Sequence, residues 1–139
     1  MIVYYNDQFI SKDEVRISPD DRGFLFADGV YEVMLAYRGC LFWFDDHLER
    51  LGRSLKEIQL DLPDLKRLRE ISEELLRRND LTGADAKLYV QVTRGTAPRR
   101  HAFPGGSDGP TIYMSAEPFQ RPLAELQDGI GIILVPDIR

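Results

Sequence analysis

The hydrophobic period of the chain changes twice, and this constrains the fold more than any other feature. Up to Phe44 the apolar runs read as extended pieces: Ile2 to Tyr5 and Gln8 to Ile10 about an Asn6-Asp7 turn, then an alternating Glu14 to Ile17. Tyr31 to Tyr37 and Cys40 to Phe44 flank Arg38-Gly39, the length of a two-residue hairpin loop. Beyond Phe44 the spacing becomes helical. Asp46 with Glu49 three residues on makes a capping-box-like start, and Leu48, Leu51, Leu55 and Ile58 share one face. A second helix is predicted from around Pro63, with a stripe of Leu65, Leu68, Ile71 or Ser72, and Leu75, and with Arg77 and Arg78 at the negative end of its dipole. Alternation returns over Lys87 to Thr93 and Thr111 to Ser115. Strands, two helices, then strands predict an α+β fold: an antiparallel-rich sheet with two helices packed on one face.

The last stretch does not close on this pattern. Glu117 to Pro122 reads as a linker, Leu123 to Gln127 as a short helix, and Gly129 to Val135 as a strand. Ile130 to Val135 is apolar on both faces and expects cover on both sides, yet little sequence remains to cover it. The expected organisation is an α+β domain over residues 1–118, with residues 119–139 a linker and the first strand of a truncated second domain. Composition narrows the function classes. At 43% apolar residues a chain of 139 can build a real core, and a net charge of −5 disfavours a nucleic-acid binder. Cys40 is the one cysteine, which excludes an intrachain disulfide and a Cys-rich metal site. The start lacks the order of a signal peptide, and no apolar run spans a membrane, so a cytoplasmic, membrane-free protein is expected. Apart from Lys12, Lys56, Lys66 and Lys87, all 18 basic residues are arginines, which suit bidentate capture of carboxylate and phosphate. A coding preference explains the ratio equally well.

Three segments carry groups suited to chemistry. Asp20 to Glu32 holds acids, Arg22, Gly23 and Gly29 around an aromatic cluster. It reads either as a structural turn, with the glycines at unusual backbone angles and Asp28 bonding locally, or as the support that aims the Tyr31 hydroxyl into a cleft. In Asp45 to Leu51, Arg50 falls on the second helical turn. There it either offers donors to a phosphate or pairs in solvent with Asp46. His47 has no partner histidine at metal spacing, so no metal site is expected. In Val92 to Pro104, three arginines and His101 leave a strand end. Arg99 and His101 lie two apart, which lets both face one anion, and a merely solvated basic loop fits as well.

These segments occur in an order that resembles the N-terminal half of D-amino-acid aminotransferases, within the fold type IV (class IV) group of pyridoxal-phosphate enzymes. The matching stretches are Tyr4-Tyr5-Asn6-Asp7-Gln8, Asp21-Arg22-Gly23 with Asp28-Gly29-Val30-Tyr31-Glu32, His47-Leu48-Glu49-Arg50-Leu51, and Gln91 to His101 with Phe103-Pro104. The likeness runs through the closing Val135-Pro136-Asp137-Ile138-Arg139. Arg99-x-His101 is the more specific mark of the D-amino-acid branch; branched-chain aminotransferases and aminodeoxychorismate lyases share the first two motifs and differ in that loop. Ala27 stands where similar enzymes often have glycine.

The resemblance implies a homodimeric transaminase that moves an amino group between a D-amino acid, such as D-alanine, and a 2-oxo acid. It implies that Arg50 grips the cofactor phosphate, and that Tyr31, with Arg99 and His101 supplied across the dimer, traps the substrate carboxylate. It places the cofactor-holding lysine beyond Arg139, so no catalytic residue is assigned within the chain, and the 139 residues are expected to be inactive alone. Lys12, Lys56, Lys66 and Lys87 sit in a turn, off the helix stripes and at a strand start, none of them in a desolvated cluster. The competing reading from another class is a non-catalytic anion-binding or interaction domain.

Overall fold

The alternating stretches pair into one six-stranded antiparallel sheet in the computed structural model of the chain, which describes residues 1–62, 64–104 and 109–137. β1 (Ile2–Tyr5) turns into β2 (Gln8–Ser11) through Asn6 and Asp7, both at positive φ. Such a turn matches the right-handed twist of the strands it joins. β3 (Gly29–Tyr37) turns through Arg38 and Gly39 into the two-residue β4 (Cys40–Leu41). β5 (Ala86–Thr93) and β6 (Thr111–Pro118) complete the order β2-β1-β6-β5-β3-β4.

Period-two patterning gives the sheet two unlike faces. Ala86, Leu88, Val90 and Val92 of β5 join Met34 and Ala36 of β3 and Met114 and Ala116 of β6 on the buried side. Against them pack Leu51 and Leu55 of α2 (Phe44–Glu57) and Leu68, Ile71, Leu75 and Leu76 of α3 (Arg67–Arg78), in one continuous core. Each buried leucine or valine there contributes roughly 1.5–3 kcal/mol. Leu48 and Ile58 pack at the edge of the same core, so the expected stripe and the two helices on one face are both present. The other face carries Tyr31, Val33, Tyr89, Gln91 and Tyr113, and neither of the two long helices packs on it.

Several local expectations are corrected. Glu14 to Ile17 is not a strand: Lys12–Glu14 forms a single 3-10 turn, the Glu14 carboxylate accepting from the Ser11 amide at 3.2 Å. α2 begins at Phe44 rather than Asp46, because the chain leaves the β3–β4 hairpin through Trp43 at φ 48° and drives Phe44 straight into the core. Glu49 therefore faces Arg53 at 2.6 Å instead of closing a capping box. Pro63 lies outside the described residues, and α3 starts at Arg67, whose amide donates to Asp64 Oδ1. At its far end Arg77 and Arg78 hydrogen-bond the Glu74 carboxyl and hold its pKa down at about 2.

Beyond β6 one expected element is present and one is not. Glu117 and Pro118 belong to β6, and α4 (Leu123–Asp128) forms where a short helix was expected. Gly129 to Val135 forms no strand: Ile130, Ile132, Ile133, Leu134 and Val135 are all exposed. A strand needs a hydrogen-bonding edge, and none of the described strands pairs with this segment. Ile138 and Arg139 lie outside the described residues.

Candidate functional site

Register sets the open face. Tyr31 of β3 stands opposite Gln91 of β5, which stands opposite Tyr113 of β6, so three polar-tipped side chains form one row across three strands. Behind them Tyr89 contacts the rings of Tyr31 and Tyr113, and its hydroxyl donates to Gln91 Oε1. Burial, then the neighbouring phenols Tyr31 and Tyr113, push the Tyr89 hydroxyl above its ordinary pKa, so it stays a neutral donor. The row floors a cleft of about 690 Å³ whose wall is Ile17 to Pro19 together with Asp21, Gly23, Phe24 and Ala27. Tyr31 is 63% exposed at its mouth, in keeping with the reading that aims it into a cleft.

The Asp20–Glu32 segment is a short helix rather than a simple turn. Asp21 caps α1 (Arg22–Phe26): one carboxylate oxygen accepts from the Gly23 amide at 2.7 Å, the other from the hydroxyls of Thr93 and Thr111 at 3.0 and 2.6 Å. Neither Gly23 nor Gly29 has an unusual backbone angle; the positive φ falls on Ala27. The glycines are needed for close approach instead, since a Cβ on Gly29 would sit 2.7 Å from the Val92 carbonyl oxygen and one on Gly23 would collide with Thr93. Asp28 bonds within its own segment, to Arg22, and also far beyond it, to Arg94. Its carboxylate is buried between Arg22 (Nε at 2.6 Å) and Arg94 (Nε at 2.8 Å, Nη2 at 3.0 Å). Burial raises the Asp28 pKa, but the hydrogen bonds and charges of Arg94 and Arg22 overcome it and hold the group below the ordinary range.

Arg50 pairs with Glu32 rather than with Asp46. Its Nε and Nη2 make a two-pronged contact with Glu32 at 2.6 and 2.5 Å, and His47 Nδ1 lies 3.0 Å from the same carboxylate. Glu32 is 2% exposed, whereas the Arg50 side chain is 60% exposed and its Nη1 has no partner among the described residues. Burial pushes the Glu32 carboxyl up; Arg50 and then His47 more than offset this, leaving it below the ordinary value. Glu32 was not singled out as a site residue. An acid at an inward-facing strand position was the signal, because a buried carboxylate requires a cationic or donor partner.

The loop after β5 divides into two parts. Arg94 is not solvated: it is 6% exposed, bonds Asp28 and donates to the carbonyls of Ile58 and Gln59 at the end of α2. Arg99, Arg100 and His101 are exposed, and neither Arg99 nor His101 lines the cleft that Tyr31 lines. Both instead contact the ring of Phe26. Lys12, Lys56, Lys66 and Lys87 are likewise absent from the cleft, and Lys87 is paired with Glu117 at 2.7 Å. Among the described residues no group of His, Cys, Asp or Glu is placed to hold a metal, and no helix is long and apolar enough to cross a membrane.

A D-alanine aminotransferase of Staphylococcus haemolyticus is 42% identical over 138 residues, spanning 99% of this chain and 48% of that protein. The chain thus spans about half the length of the curated relatives it matches. Among solved structures, the branched-chain amino acid aminotransferase of Escherichia coli superposes with a TM-score of 0.80 at 19% identity, covering 89% of this chain and 42% of that one, a likeness of fold. The pyridoxal-phosphate-bound form of a hypothetical aminotransferase from Mycobacterium tuberculosis gives a TM-score of 0.70 at 28% identity, covering 85% of this chain and 39% of that one. The family model for amino-transferase class IV matches residues 29–139, from the start of β3 onward, and the chain belongs to that family.

Proposed function

We propose that this chain is the N-terminal part of a pyridoxal-phosphate-dependent transaminase that moves an amino group between a D-amino acid, such as D-alanine, and a 2-oxo acid. Residues 1–118 form its N-terminal domain, and residues 119–139 lead into a cofactor domain. The complete protein works in the cytoplasm as a homodimer. The observation that carries the reading is the pairing of a Tyr31-lined cleft with an exposed Arg99-x-His101 loop that does not line it, in a chain 42% identical to a D-alanine aminotransferase.

The residues present fit the cofactor at one point. Arg50 is a cation whose position is set from behind by Glu32 and whose remaining Nη1 edge faces outward, the donor set a phosphate needs. Bound there, pyridoxal phosphate supplies the electron sink for amino transfer. The chain's own contribution is binding and orientation. Glu32 keeps Arg50 charged and fixed, and the Tyr31 hydroxyl donates to a carboxylate entering the cleft. Arg99 and His101 serve the cleft of the partner subunit, adding a planar fork and an imidazole donor to the same carboxylate. The lysine that holds the cofactor is not among Lys12, Lys56, Lys66 and Lys87; it belongs to the cofactor domain.

The test is transamination by the full-length protein, with D-alanine, L-alanine, branched-chain L-amino acids and aminodeoxychorismate as donors. Pyruvate from D-alanine with 2-oxoglutarate, and none from L-alanine, is expected. A preference for branched L-amino acids, or release of 4-aminobenzoate, would place the protein in a sister branch. No reaction by a cofactor-loaded dimer would leave a non-catalytic anion-binding domain.

A further inference from the structure

One half-buried ring touches three basic side chains. Phe26 closes α1, and its centroid lies 4.8 Å from the guanidinium carbon of Arg22, 5.4 Å from that of Arg99 and 5.3 Å from the ring of His101, which is tilted by 55°. Between the two loop residues the backbone is tied as well: Arg22 Nη1 donates to the Arg100 carbonyl at 2.7 Å. Arg22 cannot drift, since it is 2% exposed and its Nε is held by Asp28. Three successive loop residues, 99, 100 and 101, are thus anchored on one five-residue helix although all three are exposed.

We propose that Phe26, backed by Arg22, is the positioning residue that fixes Arg99 and His101 as one anion-binding pair. The proposal rests on the reading of those two side chains as carboxylate holders. Residue chemistry explains why an aromatic side chain belongs here. A ring restrains a guanidinium lying over its face and an imidazole tilted against it without taking up their N–H donors, which stay available to an incoming anion. An acidic side chain in the same place would occupy those donors and repel the substrate carboxylate. An aliphatic one would supply contact without orientation. The ring therefore fixes the geometry of a flexible pair without competing with its ligand.

The test uses the full-length protein with D-alanine and 2-oxoglutarate as probes and compares Phe26→Leu with Phe26→Tyr. Phe26→Leu should raise KM for both probes about three- to tenfold, the scale of one lost cation–π contact plus misplacement. Its kcat and pyridoxal-phosphate retention should hold, and Phe26→Tyr should restore KM. Phe26→Leu should add nothing further in a protein already carrying Arg99→Ala and His101→Ala. If Arg99→Ala and His101→Ala raise KM while Phe26→Leu does not, the platform is wrong and the carboxylate-trap reading stands. If neither Arg99→Ala nor His101→Ala moves KM, the trap reading fails and the platform falls with it. An equal rise from Phe26→Leu in the doubly substituted protein would show another route and also overturn the proposal. Should Phe26→Leu not fold, Arg22→Lys keeps the charge beside Asp28 but is too short to reach the Arg100 carbonyl, and it is held to the same readings.

Discussion

Glu32 is the residue on which the proposed phosphate contact rests, being buried in β3 while the arginine it pairs with stands in solvent. Glu32→Gln keeps the shape and loses the charge, so it should cost about 1–3 kcal/mol of stability, read from a denaturant midpoint. In the full-length protein the same change should loosen pyridoxal phosphate, because Arg50 loses its rear anchor. Arg50→Ala should release the cofactor more completely, measured by dialysis and cofactor absorbance; unchanged retention would end the phosphate assignment. Gly29→Ala tests the close approach at the cleft. The new Cβ meets a backbone oxygen that cannot step aside, so β3 and β5 must part, at about 1–3 kcal/mol. Tyr31, Arg50, Arg99 and His101 stand out in the sequence as candidates because each lies in a run of unusual composition, and the family resemblance supplies their proposed roles. Glu32 and Arg94 were not visible in the same way. What makes them matter is an inward orientation and a partner 18 or 66 residues distant.

At the scale of elements, α1 is too short to be stable by itself, and its cap also serves the sheet. Asp21→Ala removes the acceptor for the Gly23 amide and for both threonine hydroxyls, at a combined cost of about 2–4 kcal/mol. Asp21→Asn, which keeps one acceptor oxygen, should recover part of this in the same thermal melt. Strands and helices were legible where an amphipathic period ran for eight residues or more, as in β3, β5, α2 and α3. Boundaries were not: α2 starts early because Trp43 adopts a left-handed angle that no periodicity announces. In the sequence Gly23 and Gly29 look like residues of backbone freedom, whereas the space beside them, filled by Thr93 and Val92, is what requires them. Such crowding is a property of two segments together and is written in neither alone.

For the molecule as a whole, two buried carboxylates tie stability to pH. Asp28 and Glu32 both lie below their ordinary values of 3.8 and 4.5, so each stabilises the fold fully above those values and loses that contribution as pH falls through its lowered pKa. Thermal midpoints should be flat from pH 7 to about 5 and fall below about 4, and Glu32→Gln should flatten part of the acid limb. The sheet order carries a consequence for biosynthesis. β1 lies between β2 and β6, and the Asn6 side chain accepts from the Ile112 amide across a separation of 106 residues. Of the described strands, the β1–β2 hairpin is therefore translated first and seated among the last. Until β6 has been translated, the inner edge of β1 and the matching edge of β5 both wait without partners. Nascent chains stalled before Thr111 are the species a chaperone would meet, and they present two open edges in addition to those of β2 and β4 that border the finished sheet.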